Sequence, residues 1–228
     1  MTLQLIDKRK IYFYSFLLLI LLSIHNTNSL NFINNFFKIK KIEVIGNIDQ
    51  KLNSDISLSL EKFYNINIFS LDVNDIKSEL DIFAQLSEYN IKKEYPSSIN
   101  IELKETNFLA YFVDNNQKYF VGENGKKIKE EENIINNLPL IVGQFEIKRF
   151  LNLKDLLLKN RFQLNDFTSF YSFKSKRWDL VYKNKITIKL PIDELEHSIF
   201  LLKSIIETQN IDNLNLIDLR ISNRIIVA

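Results

Sequence analysis

The chain has 228 residues, 30 Lys+Arg against 28 Asp+Glu for a formal charge of +2, and a hydrophobic share of 46%. That is the balance of a folded protein with room for one or two domains, not of a disordered chain. Mixed charge without a basic stripe gives no reason for a nucleic-acid partner, and the absence of cysteine excludes disulfides, thiolate metal sites and thiol nucleophiles.

Lys8-Arg9-Lys10 opens a stretch that carries no charged side chain until Lys38. Within it, Ile11, Phe13, Phe16, Leu17, Leu18, Leu19, Ile20, Leu21, Leu22 and Ile24 form an apolar run. The run is shorter than the roughly 20 residues of a spanning helix, yet it extends through the polar but uncharged residues 25–30. No small-x-small cleavage site follows it, so an uncleaved transmembrane anchor over 11–30 is expected instead of a removed signal peptide. The basic triplet places residues 1–10 in the cytoplasm by the positive-inside rule and exports the remainder. Either reading of the segment exports the bulk of the chain.

After a linker at 31–37, Ile39, Ile42 and Val44 alternate up to the turn Gly46-Asn47, predicting a strand. Leu52, Ile56, Leu60 and Phe63 recur at helical spacing. A second helix is expected from Asp72, an N-cap with Asp75 in the first turn, its stripe running through Val73, Ile76, Leu80, Phe83 and on to Leu86. Tyr89–Tyr95 and Ile99–Leu103 alternate around Pro96-Ser97-Ser98, which predicts a hairpin. Residues 38–105 thus read β-α-α-β-β, with Ile42, Val44 and Ile45 expected in the core.

The block 106–228 is richer in strands. Phe108–Val113 and Lys118–Val121 flank Asp114-Asn115-Asn116, and Gly122–Gly125 makes a tight turn. Glu130-Glu131-Glu132 lies in a loop that Leu138–Gly143 ends. One short helix is expected at Leu151–Leu158, and strands at Phe167–Phe173, Trp178–Tyr182 and Lys185–Leu190. The clearest helix opens at Pro191, with Pro and two acids in its first turn and a stripe of Leu195, Ile199, Leu202, Ile205 and Ile206. Leu214–Ile221 and Ile225–Val227 close the chain as strands around Ser222-Asn223. The fold class expected is α+β: one N-terminal membrane helix, a small β-α-α-β-β domain, then a mostly antiparallel β domain with a long helix packed near the C-terminus.

No pattern in the chain asks for catalysis. The two histidines, His25 and His197, have no partner at ligand spacing, so no metal or cofactor is expected. There is no phosphate-cradling glycine loop, no G-x-S-x-G and no H-E-x-x-H. The acids and aromatics read as a solvated face and a core.

An ordered series of marks resembles the FtsQ/DivIB family of bacterial cell-division proteins across nearly the whole chain. It consists of Ile42-Glu43-Val44-Ile45-Gly46-Asn47 behind a single anchor, Asn67–Asp72, Tyr95-Pro96-Ser97-Ser98-Ile99-Asn100-Ile101, and Leu109–Phe112 with Tyr119–Gly125. Leu138-Pro139-Leu140-Ile141-Val142-Gly143, Arg177-Trp178-Asp179-Leu180, Ile186–Pro191 and Ile217–Arg220 follow in order. The resemblance implies a bitopic inner-membrane protein with a periplasmic POTRA domain at 38–105 and a β domain at 106–228. It also implies no catalysis, no small-molecule substrate, and a hub role at the division septum. The partners implied are an FtsB/FtsL-like pair and septal peptidoglycan-synthesis components, the pair docking by strand addition at the C-terminal edge. Carried onto this chain, that edge is Ile221, Ser222, Asn223, Arg224, Ile225, Ile226 and Val227, with Arg177 as an ionic contact for an acidic partner helix. The same residues are equally suited to completing the core sheet, and aromatics often present at this edge in the family are replaced by Ile221 and Ala228. Two other classes stay open: a POTRA-bearing envelope or secretion assembly factor, which needs several such units or a following barrel, and an anchored periplasmic enzyme, which needs a convergent polar site.

Overall fold

The computed structural model describes residues 8–23, 34–130, 137–183, 185–208, 214–221 and 224–228. The chain divides into two compact units, one of residues 1–83 with 88–104 and one of 84–87 with 105–228. Ahead of the folded part, α1 (Lys8–Ser23) is a 16-residue helix with residues 8–22 exposed. At 1.5 Å per residue it measures about 24 Å, short of a hydrocarbon core of about 30 Å. No helix among the described residues is long and apolar enough to cross a membrane. Ile24 and the rest of the expected segment to residue 30 lie outside the described residues.

The first unit is a three-stranded sheet of β1 (Lys41–Ile45), β2 (Leu86–Glu94) and β3 (Ser98–Glu105), with β3 central and β1 parallel to it. Two helices, α2 (Gln50–Leu60) and α3 (Val73–Leu80), contribute buried Leu52, Ile56, Leu60, Ile76 and Leu80 to the side that Ile99, Ile101 and Leu103 line. Each helix starts on a carboxylate: Asp49 Oδ2 accepts from the Lys51 N–H at 2.9 Å, and Asp72 Oδ1 from that of Asn74 at 2.9 Å. Two expectations need correction. α3 ends at Leu80, and Leu86 opens β2 instead of extending the helical stripe. Ile45 is not core: it shares parity with Lys41 and Glu43 on an edge strand, and is 47% exposed.

The second unit is a nine-stranded mixed sheet. It comprises β4 (Phe108–Asp114), β5 (Gln117–Gly122), β6 (Lys127–Lys129), β7 (Leu140–Val142), β8 (Phe167–Ser172), β9 (Trp178–Tyr182), β10 (Ile186–Lys189), β11 (Leu216–Ile221) and β12 (Arg224–Val227). Their spatial order is β12-β11-β10-β9-β8-β7-β4-β5-β6, which leaves β12 at one edge. Five of the eight pairings are antiparallel and three parallel. Helices α4 (Ile147–Lys159) and α5 (Leu195–Thr208) bury Phe150, Leu153, Leu157, Ile199, Leu202 and Ile205 in one core with Phe170, Leu180, Ile188 and Ile217.

Four elements of the second unit differ from the sequence reading, and one is β6, a strand at Lys127–Lys129 where none was expected. Leu140–Val142 is a strand, parallel to both neighbours, where a loop end was expected; three residues are too few to show alternation. The helix expected at 151–158 begins four residues earlier, with the N–H groups of Arg149 and Phe150 on the Glu146 carbonyl. The helix expected from Pro191 begins at Leu195. Leu190 N–H donates to the Trp178 carbonyl, which holds the chain on the sheet, and Glu194 turns it at φ 58° before the helix can start.

Candidate functional site

All four residues of β12 are exposed, with Ile225, Ile226 and Val227 at 42%, 43% and 41%. Leu216 and Ala228 exchange both backbone hydrogen bonds, at 2.9 and 3.1 Å. In an antiparallel ladder such exchanging pairs recur at every second residue. The next is therefore Asp218 with Ile226, which the register matches. Ile226 and Ala228 thus direct their N–H and C=O groups to β11, while those of Ile225 and Val227 point away from the sheet.

Register also sorts the side chains. Val227 pairs with Ile217, which pairs with Ile188, and Ile188 with Leu180; this row, with Ile225 on the same parity, lies on the core face. The row Ile226, Asp218, Lys189, Asp179 and Tyr171 runs across the opposite face. There Asp218 takes Arg220 Nε at 2.9 and 3.0 Å on its two oxygens, Nη2 at 2.6 Å, and the Arg220 backbone N–H at 3.1 Å. Where β11 shifts register between Asp218 and Ile221, this carboxylate gives the Arg220 backbone N–H a side-chain acceptor. The Arg220 guanidinium holds the Asp218 carboxyl below the usual aspartate range, with Lys189 adding to the effect, and Asp218 in turn raises Arg220.

Arg177 is partly committed within the chain. Its Nε donates to Asp179 at 3.1 Å, its Nη2 at 3.4 Å, and its guanidinium lies 4.3 Å from the Phe173 ring centre. Arg177 and Arg220 share one open concavity of about 540 Å³ with Pro191, Ile192, Asp193 and Glu194. A guanidinium has five N–H donors, so each arginine retains some for a further acceptor.

Of the residues singled out from sequence, Ile221, Arg224, Ile225, Ile226 and Val227 lie together along β11 and β12, with Ile221 54% exposed and paired to Arg224. Ser222 and Asn223 lie outside the described residues. Arg220, Asp218 and Asp179 were missed. The signal was present: Arg177-x-Asp179 and Asp218-x-Arg220 are spaced by two on strands, which puts each pair on one face. In α1, Ile11, Phe13, Phe16, Leu17, Leu18, Leu19, Ile20, Leu21 and Leu22 are all exposed. No group of three or more His, Asp or Glu that could hold a metal occurs among the described residues.

Two family profiles match: "POTRA domain, FtsQ-type" over residues 37–106, and "Cell division protein FtsQ/DivIB, C-terminal" over 110–220. Cell division protein FtsQ of Rickettsia prowazekii is 28% identical over 200 residues, covering 82% of this chain and 71% of the relative. Cell division protein DivIB of Clostridium tetani is 30% identical over 106 residues, covering 46% and 39%. The solved major extracytoplasmic domain of DivIB from Geobacillus stearothermophilus aligns with 45% of this chain and 93% of its own, at a TM-score of 0.32 and 14% identity. The two profiles follow one another along both folded units, and on them the chain belongs to the FtsQ/DivIB family of cell-division proteins.

Proposed function

We propose that this chain is a non-catalytic assembly protein of the division septum. In this reading residues 11–30 anchor it once in the inner membrane, with the N-terminus cytoplasmic and the bulk periplasmic. It bridges membrane partners, septal peptidoglycan-synthesis components among them, and docks an FtsB/FtsL-like pair by strand addition along β12. The observation that carries the reading is an edge strand with outward backbone groups on Ile225 and Val227 and exposed apolar side chains on Ile225, Ile226 and Val227. Strand addition draws affinity from such N–H and C=O groups and specificity from alternate side chains. Arg177 and Arg220, in their shared concavity, suit a carboxylate on a partner helix beside that strand.

The ladder decides where proline tests this. At Ile226 the ring removes an N–H directed at β11, so Ile226→Pro injures the native sheet as well as the docking edge. Ile225→Pro and Val227→Pro remove only outward donors. Both are expected to abolish capture of the partner pair by the full chain, with thermal unfolding unchanged. Ile226→Pro is expected to lower the unfolding midpoint as well, through a lost hydrogen bond of about 1 kcal/mol. Undiminished capture by the 225 and 227 variants would rule out docking on this edge.

A further inference from the structure

In the first unit, four rings form a chain at one end of the fold. Phe36 and Phe37 meet edge-on at 5.2 Å, Phe37 and Phe69 at 5.0 Å, and Phe69 stacks on Tyr95 at 5.0 Å. Three of them are well exposed: Phe36 47%, Phe69 61% and Tyr95 59%. Exposed rings on a mobile loop would mean little, but this loop is pinned. Lys93 Nζ donates to the carbonyls of Ile68 and Leu71 at 2.8 and 2.6 Å, Asn67 Oδ1 accepts from the Phe69 N–H, and the Ile68 N–H donates to the Phe37 carbonyl. Phe69 is thus held out toward its surroundings on a fixed platform.

The backbone brings two cationic residues next to the ring-bearing segments. Lys38 bridges to Asn67, and the Lys40 N–H donates to the Ser97 carbonyl beside the Tyr95-Pro96 turn. Neither lysine has an acidic partner among the described residues, whereas neighbouring Lys41 is paired with Glu43. A contiguous set of exposed rings edged by such lysines matches the chemistry of a bilayer interface, where aromatic rings sit at headgroup depth and ammonium groups meet lipid phosphate. The sequence supplies the proximity. The uncharged tract that starts at Ile11 runs without interruption into Phe36-Phe37, and the thirteen residues from Ile24 to Phe36 reach at most about 47 Å fully extended.

We propose that Phe36, Phe37, Phe69 and Tyr95, with Lys38 and Lys40, form a docking surface for the outer leaflet of the membrane, which lays the first unit against anionic lipid instead of leaving it on a free tether. The proposal rests on the anchored reading given above, and the test separates the two. The chain has no cysteine, so single-cysteine variants of the full protein take one spin label each. In vesicles of phosphatidylethanolamine and phosphatidylglycerol, label accessibility to oxygen and to a water-soluble relaxant is read at Leu19→Cys, Ser70→Cys and Ser57→Cys. The expected pattern is lipid contact at 19, interfacial depth at 70 and water at 57, with lipid contact at 70 lost in Phe69→Ser/Tyr95→Ser and weakened in Lys38→Glu/Lys40→Glu. Lipid at 19 with water at 70 overturns the docking surface alone. Water at 19 overturns the anchor and the docking surface together. A label at 70 shielded from both relaxants marks a protein occupant and also overturns the proposal.

Discussion

At the scale of single residues, backbone conformation is the sharpest constraint in the second unit. Gly143 follows β7 at φ +96°, and a Cβ there would stand 2.2 Å from the Ser172 carbonyl oxygen. Both the left-handed backbone and the close neighbouring strand demand glycine. Gly143→Ala is expected to destabilise the protein by roughly 1–3 kcal/mol, the range of a residue forced into a sparse backbone region, read as a lower thermal midpoint. An unchanged midpoint would mean that β7 and β8 are not held this closely. Asn115 and Asn116 show the milder case: both have positive φ, at 49° and 60°, in the tight turn of β4 and β5. Asparagine tolerates that conformation, and the pair was readable from sequence as a turn for this reason.

At the scale of elements, the edge of the second unit depends on a carboxylate. Asp218 ties Arg220 to the bulged part of β11, and its folded-state pKa is depressed by that guanidinium. A depressed carboxyl pKa stabilises the fold above the unfolded value, ~3.9 for aspartate, and that contribution is lost as pH falls through the lower, folded value. Asp218→Asn should therefore melt below the unaltered protein at pH 7, and the gap should close on acidification below about pH 4. A gap independent of pH would show that Asp218 acts through shape and not charge. The same elements show what sequence could convey. The cap Asp72 and the 3.6-residue stripes of α2, α3 and α5 rest on local physics, and strands long enough to alternate were equally readable. β7 was not, because its place between β4 and β8 is set by strands about 30 residues away on either side. The onset of α5 was not, because the Leu190 bond to Trp178 overrides the helix-opening chemistry of Pro191 and two acids. At the β12 edge, sequence identified the strand and its apolar residues, but which N–H groups face outward depends on pairing with β11. That pairing makes 225 and 227, and not 226, the informative positions for proline.

At the scale of the whole molecule, the anchored reading turns on how charge is placed around the uncharged tract. Three cations stand before the uncharged tract, and Lys38, Lys40 and Lys41 stand after it, so the inward bias of the first cluster is opposed by the second. The anchored reading requires the first to prevail, with both folded units outside the cytoplasm. A native chain without cysteine makes this measurable without background. Ser57→Cys on α2 and Thr168→Cys on β8 are both surface positions, one in each unit. In spheroplasts both are expected to react fully with a membrane-impermeant maleimide before lysis, while a cysteine introduced at Thr2 reacts only after it. Each unit reports separately, so a chain whose 57 label reacts outside while 168 does not would contradict a single crossing. Reaction of both only after lysis would put the β12 edge in the cytoplasm, where a periplasmic FtsB/FtsL-like pair could not reach it, and the septal docking role would fall with the topology.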